Sequence, residues 1–150
     1  MEAVQIGKSA LDVEWRRLEL IAENLANMSS TRGPEGEVYH AQRLVSGPAS
    51  SFAGAMSATD ALSGAPTTAS LAPTGVVVLG VESDSAPPRR VYEPGHPHAD
   101  ADGFVEYPNI DHAEQMMQMM RSARIYEANL TALTLAQQMY SRALDLGRTS

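Results

Sequence analysis

The stretch IDHAEQMMQMMRSARIYEANLTALTLAQQMYSRALDL, residues 110–146, decides the fold. Stepping alternately by three and four through it gives Met116, Met119, Ala123, Tyr126, Leu130, Leu133, Gln137, Tyr140 and Leu144. All but Gln137 are apolar or aromatic, and neither Pro nor Gly interrupts the run. That spacing is a heptad seam on one long helix, about 50 Å from end to end at about 1.5 Å per residue. Asp111 stands where a helix cap belongs, with Glu114 three residues on, as in a capping box. Gly147 stands where a C-terminal stop is expected. So long a stripe requires something to cover it.

The N-terminal segment supplies a matching stripe. Val4, Leu11, Trp15, Leu18, Ala22 and Leu25 keep the same spacing, Lys8 breaks it, and Ile21 and Met28 widen it. The opposite face carries Asp12, Arg16, Glu19 and Glu23, and an Asp12–Arg16 pair has helical i,i+4 spacing, as Arg124–Glu127 and Arg142–Asp145 have pair-forming spacing on the second helix. A helix over Val4–Met28 is predicted, ended by Gly33-Pro34.

Between the helices the texture changes. Val38–Val45 reads as a poorly alternating strand, and 46–75 as a flexible loop rich in Ser, Ala, Gly, Thr and Pro. Val76–Val81 is the best strand in the chain, Arg89–Tyr92 a second, and Phe104–Tyr107 a third, with a type II turn expected at Pro94-Gly95. The expected fold is mainly α with a small β element. Long N- and C-terminal helices form a coiled-coil-like pair around a β-hairpin and loop middle segment. Residues 1–31 and 110–150 would make one discontinuous helical domain, and 32–109 the middle segment. Such a pair carries incompletely covered stripes, so the sequence predicts helices from neighbouring subunits completing the core.

Composition narrows the function. A net charge of −7 argues against nucleic acid, which needs a basic face. No apolar run approaches a membrane span, so direct membrane insertion is not expected. The N-terminus lacks the basic, apolar and small-residue order of a cleavable signal peptide. With no cysteine, thiol catalysis and disulfides are excluded. No phosphate loop or nucleophile set is legible, the four histidines are scattered, and no enzymatic activity, catalytic residue or cofactor is expected. The one stretch with metal-ligand chemistry is Gly95-His96-Pro97-His98-Ala99-Asp100-Ala101-Asp102-Gly103. As an EF-hand begun at His98, Asp100, Asp102 and Gly103 fit, but the twelfth position is Asn109 rather than Glu. A zinc site from His96, His98 and Asp100 would need an unusually rigid loop. The simpler reading is a turn whose Asp side chains accept backbone N–H bonds. Met116, Met117, Met119 and Met120 suit either a helix core or an adaptable inter-subunit contact.

These residues resemble a known family. Leu18-Glu19-Leu20-Ile21-Ala22-Glu23-Asn24-Leu25-Ala26-Asn27, followed by Ser29-Ser30-Thr31, resembles the signature of flagellar rod and hook proteins. Val91-Tyr92-Glu93-Pro94-Gly95-His96-Pro97, with Ala99-Asp100, Gly103-Phe104-Val105 and Tyr107-Pro108-Asn109-Ile110, is similar to the basal-body rod family, proximal rod subunit of the FlgC type. Arg124-Ile125-Tyr126-Glu127-Ala128-Asn129 extends the match. The resemblance covers 1–45 and 76–147, and 46–75 departs from it.

The resemblance implies a structural subunit of the bacterial flagellar basal body. It would assemble helically with other copies and other rod proteins into the periplasmic drive shaft. It would leave the cell through the flagellar type III export apparatus without a cleaved signal. The seam residues Leu11, Trp15, Leu18, Ala22, Leu25, Met116, Met119, Tyr126, Leu130, Leu133, Tyr140 and Leu144 are then expected to carry packing within and between subunits. Asn24 and Asn27 are expected to make specifying polar contacts. Alternatives are another flagellar axial protein, or a metal-binding module on the 96–102 His/Asp loop.

Overall fold

The computed structural model describes residues 2–33, 36–49 and 75–148. Two helices dominate: α1 (Glu2–Asn27) and α2 (His112–Arg148). Between them lie β1 (Gln42–Pro48), β2 (Val76–Ser83), β3 (Arg89–Tyr92) and β4 (Phe104–Tyr107). β1 and β2 form one antiparallel two-stranded sheet, and β3 and β4 another. The expected class, mainly α with a small β element, is what the chain adopts.

The helices pack antiparallel in one constant register. Asn24 faces Gln115, Trp15 packs tilted against Tyr126 at 6.4 Å between ring centroids, and Gly7 receives Leu133. A Cβ at Gly7 would stand 2.9 Å from Leu133 Cδ1, so the missing side chain lets the helices close there. α2 has 37 residues against 26 in α1. At about 1.5 Å per residue it is about 16 Å the longer.

The core is small. Val13 and Leu20 of α1 meet Leu44 of β1, with Val76 of β2 against them. The β1–β2 sheet lies along α1 and is stitched to it by polar contacts. Ser9 Oγ accepts from Val76 N–H at 3.1 Å, and Arg17, paired with the buried Glu14, donates to Ser46 Oγ at 3.2 Å.

The tightest joint is Asn24, 2% exposed. Its Nδ2 donates to the Gln42 carbonyl (2.9 Å) and to Gln115 Oε1 (3.1 Å). Its Oδ1 accepts from the Gln42 N–H (2.9 Å) and the Tyr39 hydroxyl (3.0 Å). A primary amide has two N–H bonds and two acceptor lone pairs to offer, and here all are used. One side chain thereby ties α1 to α2 and to the edge of β1.

Several boundaries differ from the sequence reading. The strand expected at 38–45 is displaced to Gln42–Pro48, so Ser46–Pro48 leave the expected loop. Pairing of Ser46–Pro48 with Val76–Val78 overrides the breaking tendency of Gly47-Pro48, and Pro48 sits at the strand end, where a missing N–H is tolerated. The rest of the loop reading, residues 50–74, lies outside the described residues. The turn at Pro94-Gly95 is not type II: His96 N–H bonds to the Glu93 carbonyl, but Gly95 lacks the positive φ that type II demands. Asp111 caps α2 through the Ala113 N–H at 2.8 Å, whereas the Glu114 carboxylate takes the Gln118 amide instead of closing a box. Arg16 pairs with Glu19, not Asp12, and Arg124 and Glu127 form no ion pair among the described residues. Helix geometry permits either partner three or four residues away, so local rotamers choose.

Asn24→Ala is expected to lower stability by about 3 kcal/mol, because it leaves several buried polar groups unsatisfied at once. The shift in urea midpoint of the purified chain measures it.

Candidate assembly surfaces

The predicted seam divides in two. Met119, Ala123, Tyr126 and Leu133 of α2, and Leu11, Leu18 and Leu25 of α1, are half-buried. Trp15, Ala22, Met116, Leu130, Tyr140 and Leu144 are exposed. Gln115 and Ser122, which the apolar reading passed over, are buried on α2, as are Glu14 and Asn24 on α1. An apolar search cannot find polar seam residues; the signal available was their three-four spacing, since Gln115 and Ser122 are seven apart. Met117 and Met120 are also exposed, while Met119 turns inward.

The uncovered surface is concentrated. Every residue of α2 from Gln138 to Gly147 is exposed, and that stretch carries Met139, Tyr140, Leu144 and Leu146. Tyr140 is 59% and Leu144 52% exposed. Four large apolar side chains exposed within eight residues make this helix end a candidate interaction site. β2 adds Val77, Val78, Leu79 and Val81, all exposed on a two-stranded sheet.

The His/Asp loop is built from backbone capping. Asp100 Oδ1 accepts from the N–H groups of Phe104 (2.8 Å) and Asp102 (3.0 Å), and Oδ2 pairs with Arg90. Gly103 N–H returns to the Asp100 carbonyl with φ of 82°, closing the turn. His96 Nδ1 accepts from the His98 N–H, and His98 Nδ1 bonds Thr31 Oγ1 at 2.8 Å, tethering the β3–β4 hairpin to the chain just after α1. Tyr92 and Phe104 pack edge to face, and Arg90 lies over the Phe104 ring. Within the family-motif residues, Tyr92, Pro94, Gly95, His96 and Pro97 build this hairpin, Asn24–Asn27 close α1, and Tyr126–Asn129 lie on α2. Among the described residues no three His, Asp or Glu side chains are grouped as a metal would need. No helix of the described residues is long and apolar enough to cross a membrane.

Sequence comparison fixes the lineage. A family model described as the C-terminal region of flagellar basal body rod FlgEFG proteins matches residues 101–146. The flagellar basal-body rod protein FlgC of Salmonella typhimurium is 37% identical over 143 residues, covering 95% of this chain and 94% of the relative. The FlgC proteins of Bacillus subtilis and Borreliella burgdorferi are 32% and 30% identical, covering 97% and 96% of this chain and 97% and 95% of theirs. This chain belongs to the FlgC family of flagellar basal-body rod proteins. As a FlgC-family chain it is read as a structural protein, and its exposed apolar surfaces are the candidates for contact within the rod.

The bonds from Phe104, Arg90 and Asp102 hold the Asp100 carboxyl below the ordinary aspartate range, the Phe104 N–H contributing most. A depressed folded-state pKa contributes stability that is complete above the ordinary aspartate value and is lost as pH falls through the folded value. The Phe104 and Asp102 amides should therefore lose hydrogen-exchange protection on acidification. Asp100→Asn should abolish that pH dependence.

Proposed function

We infer that this chain is a structural subunit of the proximal part of the flagellar basal-body rod, acting through packing rather than catalysis. The observation that carries this reading is the uncovered apolar end of α2, from 138 to 147, in a chain related over nearly its full length to FlgC proteins. An apolar helix end left exposed in the single chain, Tyr140 and Leu144 above all, gains stability when an assembly buries it. Burying each large side chain contributes about 1.5–3 kcal/mol.

The terminal helices then build the inner wall of the shaft, and the segment 32–109 carries its two hairpins outside. The seam residues work in two sets. Leu11, Leu18, Leu25, Met119, Tyr126 and Leu133 hold α1 to α2, while Trp15, Ala22, Met116, Leu130, Tyr140 and Leu144 meet neighbouring rod proteins and other copies. Asn24 fixes the register that presents the second set.

The reading extends to delivery. The chain crosses the inner membrane through the flagellar type III export apparatus, without a cleaved signal, and folds at the growing tip in the periplasm. The small core supports this: five apolar side chains are buried among the described residues, so little must be undone for passage as an extended chain. Contacts between unlike faces that do not close on themselves extend as a helical filament, the geometry a shaft requires.

Tyr140→Asp combined with Leu144→Asp separates folding from assembly. The purified variant should lose no more than about 1 kcal/mol, since each is a surface change. In the parent bacterium deleted for this gene it should fail to restore swimming, where the unaltered chain restores it. Full motility with the double variant would remove α2's end from the interface.

A further inference from the structure

Two faces of the chain are opposite in character and fit one another. The first is a groove of about 350 Å³ where α2 and β1 meet over α1. Its floor is Leu20, Leu44 and Ile125, and its rim is Arg17, Arg43 and Arg121. Beyond Arg121 it continues into a shallow patch of Met117, Met120 and Arg124. Arg43, Arg121 and Arg124 take part in no ion pair among the described residues. In a chain of net charge −7, this apolar surface flanked by arginines is a local inversion of sign.

The second face is the outer side of α1, opposite the buried side formed by Val13, Leu20 and Asn24. Asp12, Trp15, Glu19, Ala22, Glu23 and Ala26 follow each other there at helical spacing. Three carboxylates against Arg16 and Lys8, the latter one turn before Asp12, leave this face one charge negative. Trp15 is 57% exposed: one side of its ring rests against Tyr126 of its own chain and the rest is open. Its indole N–H already donates to Glu19 Oε1 at 2.9 Å, so the ring can enter an apolar site without stranding a donor. Trp is the residue most enriched among those that dominate binding energy. Small Ala22 and Ala26 beside it let a second backbone approach.

We propose that the outer face of α1 in one copy docks on the arginine-rimmed groove and methionine patch of a second copy. The proposal rests on the rod-subunit reading and names the surfaces by which copies meet. Trp15 enters the apolar floor, Asp12 and Glu23 face the free arginines, and the flexible methionines adjust around the alanines. The two surfaces differ, so the contact is heterologous: a docked pair keeps one vacant groove and one vacant α1 face. Copies therefore add one after another and do not stop at a dimer, and the path stays open as a helix where the rotation does not close into a ring. Charge pairing sets which face meets which, and suppresses α1-on-α1 contact, where carboxylates would oppose carboxylates.

The chain has no native cysteine, so introduced thiols report cleanly. Ala22→Cys and Met120→Cys, together in one chain, are expressed in the bacterium deleted for this gene. Basal bodies are oxidised, purified and run without reductant. A disulfide requires Cα atoms within about 7 Å, so a crosslink fixes the contact. The expected result is a ladder of linked copies from the double variant and monomer alone from each single variant. Dimers from Ala22→Cys alone would overturn the proposal in favour of like-to-like packing. Assembled, motile basal bodies from the double variant with no ladder would overturn the surfaces while leaving the rod role standing. A charge exchange decides independently, including where the cysteine chain fails to assemble. Arg121→Glu with Arg124→Glu should cut swimming at least about tenfold, and adding Asp12→Arg with Glu23→Arg should restore it. No recovery in the quadruple variant would sink the pairing. Failure of the unaltered chain to restore swimming would instead defeat the rod reading itself.

Discussion

The structure depends on one saturated amide. Asn24 meets a helix, a strand edge and a tyrosine at the same time, and each of its hydrogen-bonding positions is occupied. An apolar residue there could slide by a turn with little penalty, because apolar contact is not directional. A four-way amide cannot slide without leaving buried donors and acceptors unmatched. The register Asn24–Gln115 then carries down the pair to Trp15–Tyr126 and Gly7–Leu133. That register decides which side chains face inward and which remain available outside.

The inner contact is polar where it must be specific and apolar where bulk is needed. Gln115 of α2 accepts from Asn24, Ser122 is buried on the same helix, and the aliphatic contribution comes from the third layer, where Leu44 of β1 completes the site of Val13 and Leu20. The β1–β2 sheet is therefore part of the helical unit. It lies along α1 and is fastened by Ser9, Arg17 and Asn24. The β3–β4 hairpin is different. It is held to itself by the Asp100 turn and aromatic pairs, and it reaches α1's end through the Thr31–His98 bond.

Much of this was legible in the sequence. The long α2, the shorter α1 and the strands at 76, 89 and 104 followed from periodicity and turn residues, because each has a strong local signal. The residues Asn24–Asn27 and the Tyr92–Pro97 loop carry the family resemblance in the sequence itself. What periodicity could not give was rotation about the helix axes. Met116, Leu130, Tyr140 and Leu144 share a stripe with Met119, Tyr126 and Leu133, yet one set faces out and the other in. A stripe defined by hydrophobicity alone cannot separate cover supplied by the same chain from cover supplied by another. The β1 strand was misplaced for a related reason: its Ser46-Gly47-Pro48 end is held by pairing with β2, which no local window contains.

The antiparallel arrangement also decides where the molecule can be labelled. The start of α1 and the end of α2 emerge at the same pole, because Gly7 lies against Leu133. A fluorescent fusion or affinity handle on either helix end would therefore stand at the same pole. The Ala101-Asp102 turn is exposed on the β3–β4 hairpin, which is tethered near the other pole by Thr31. A short epitope inserted there would sit away from both helix ends and leave their exposed apolar side chains bare.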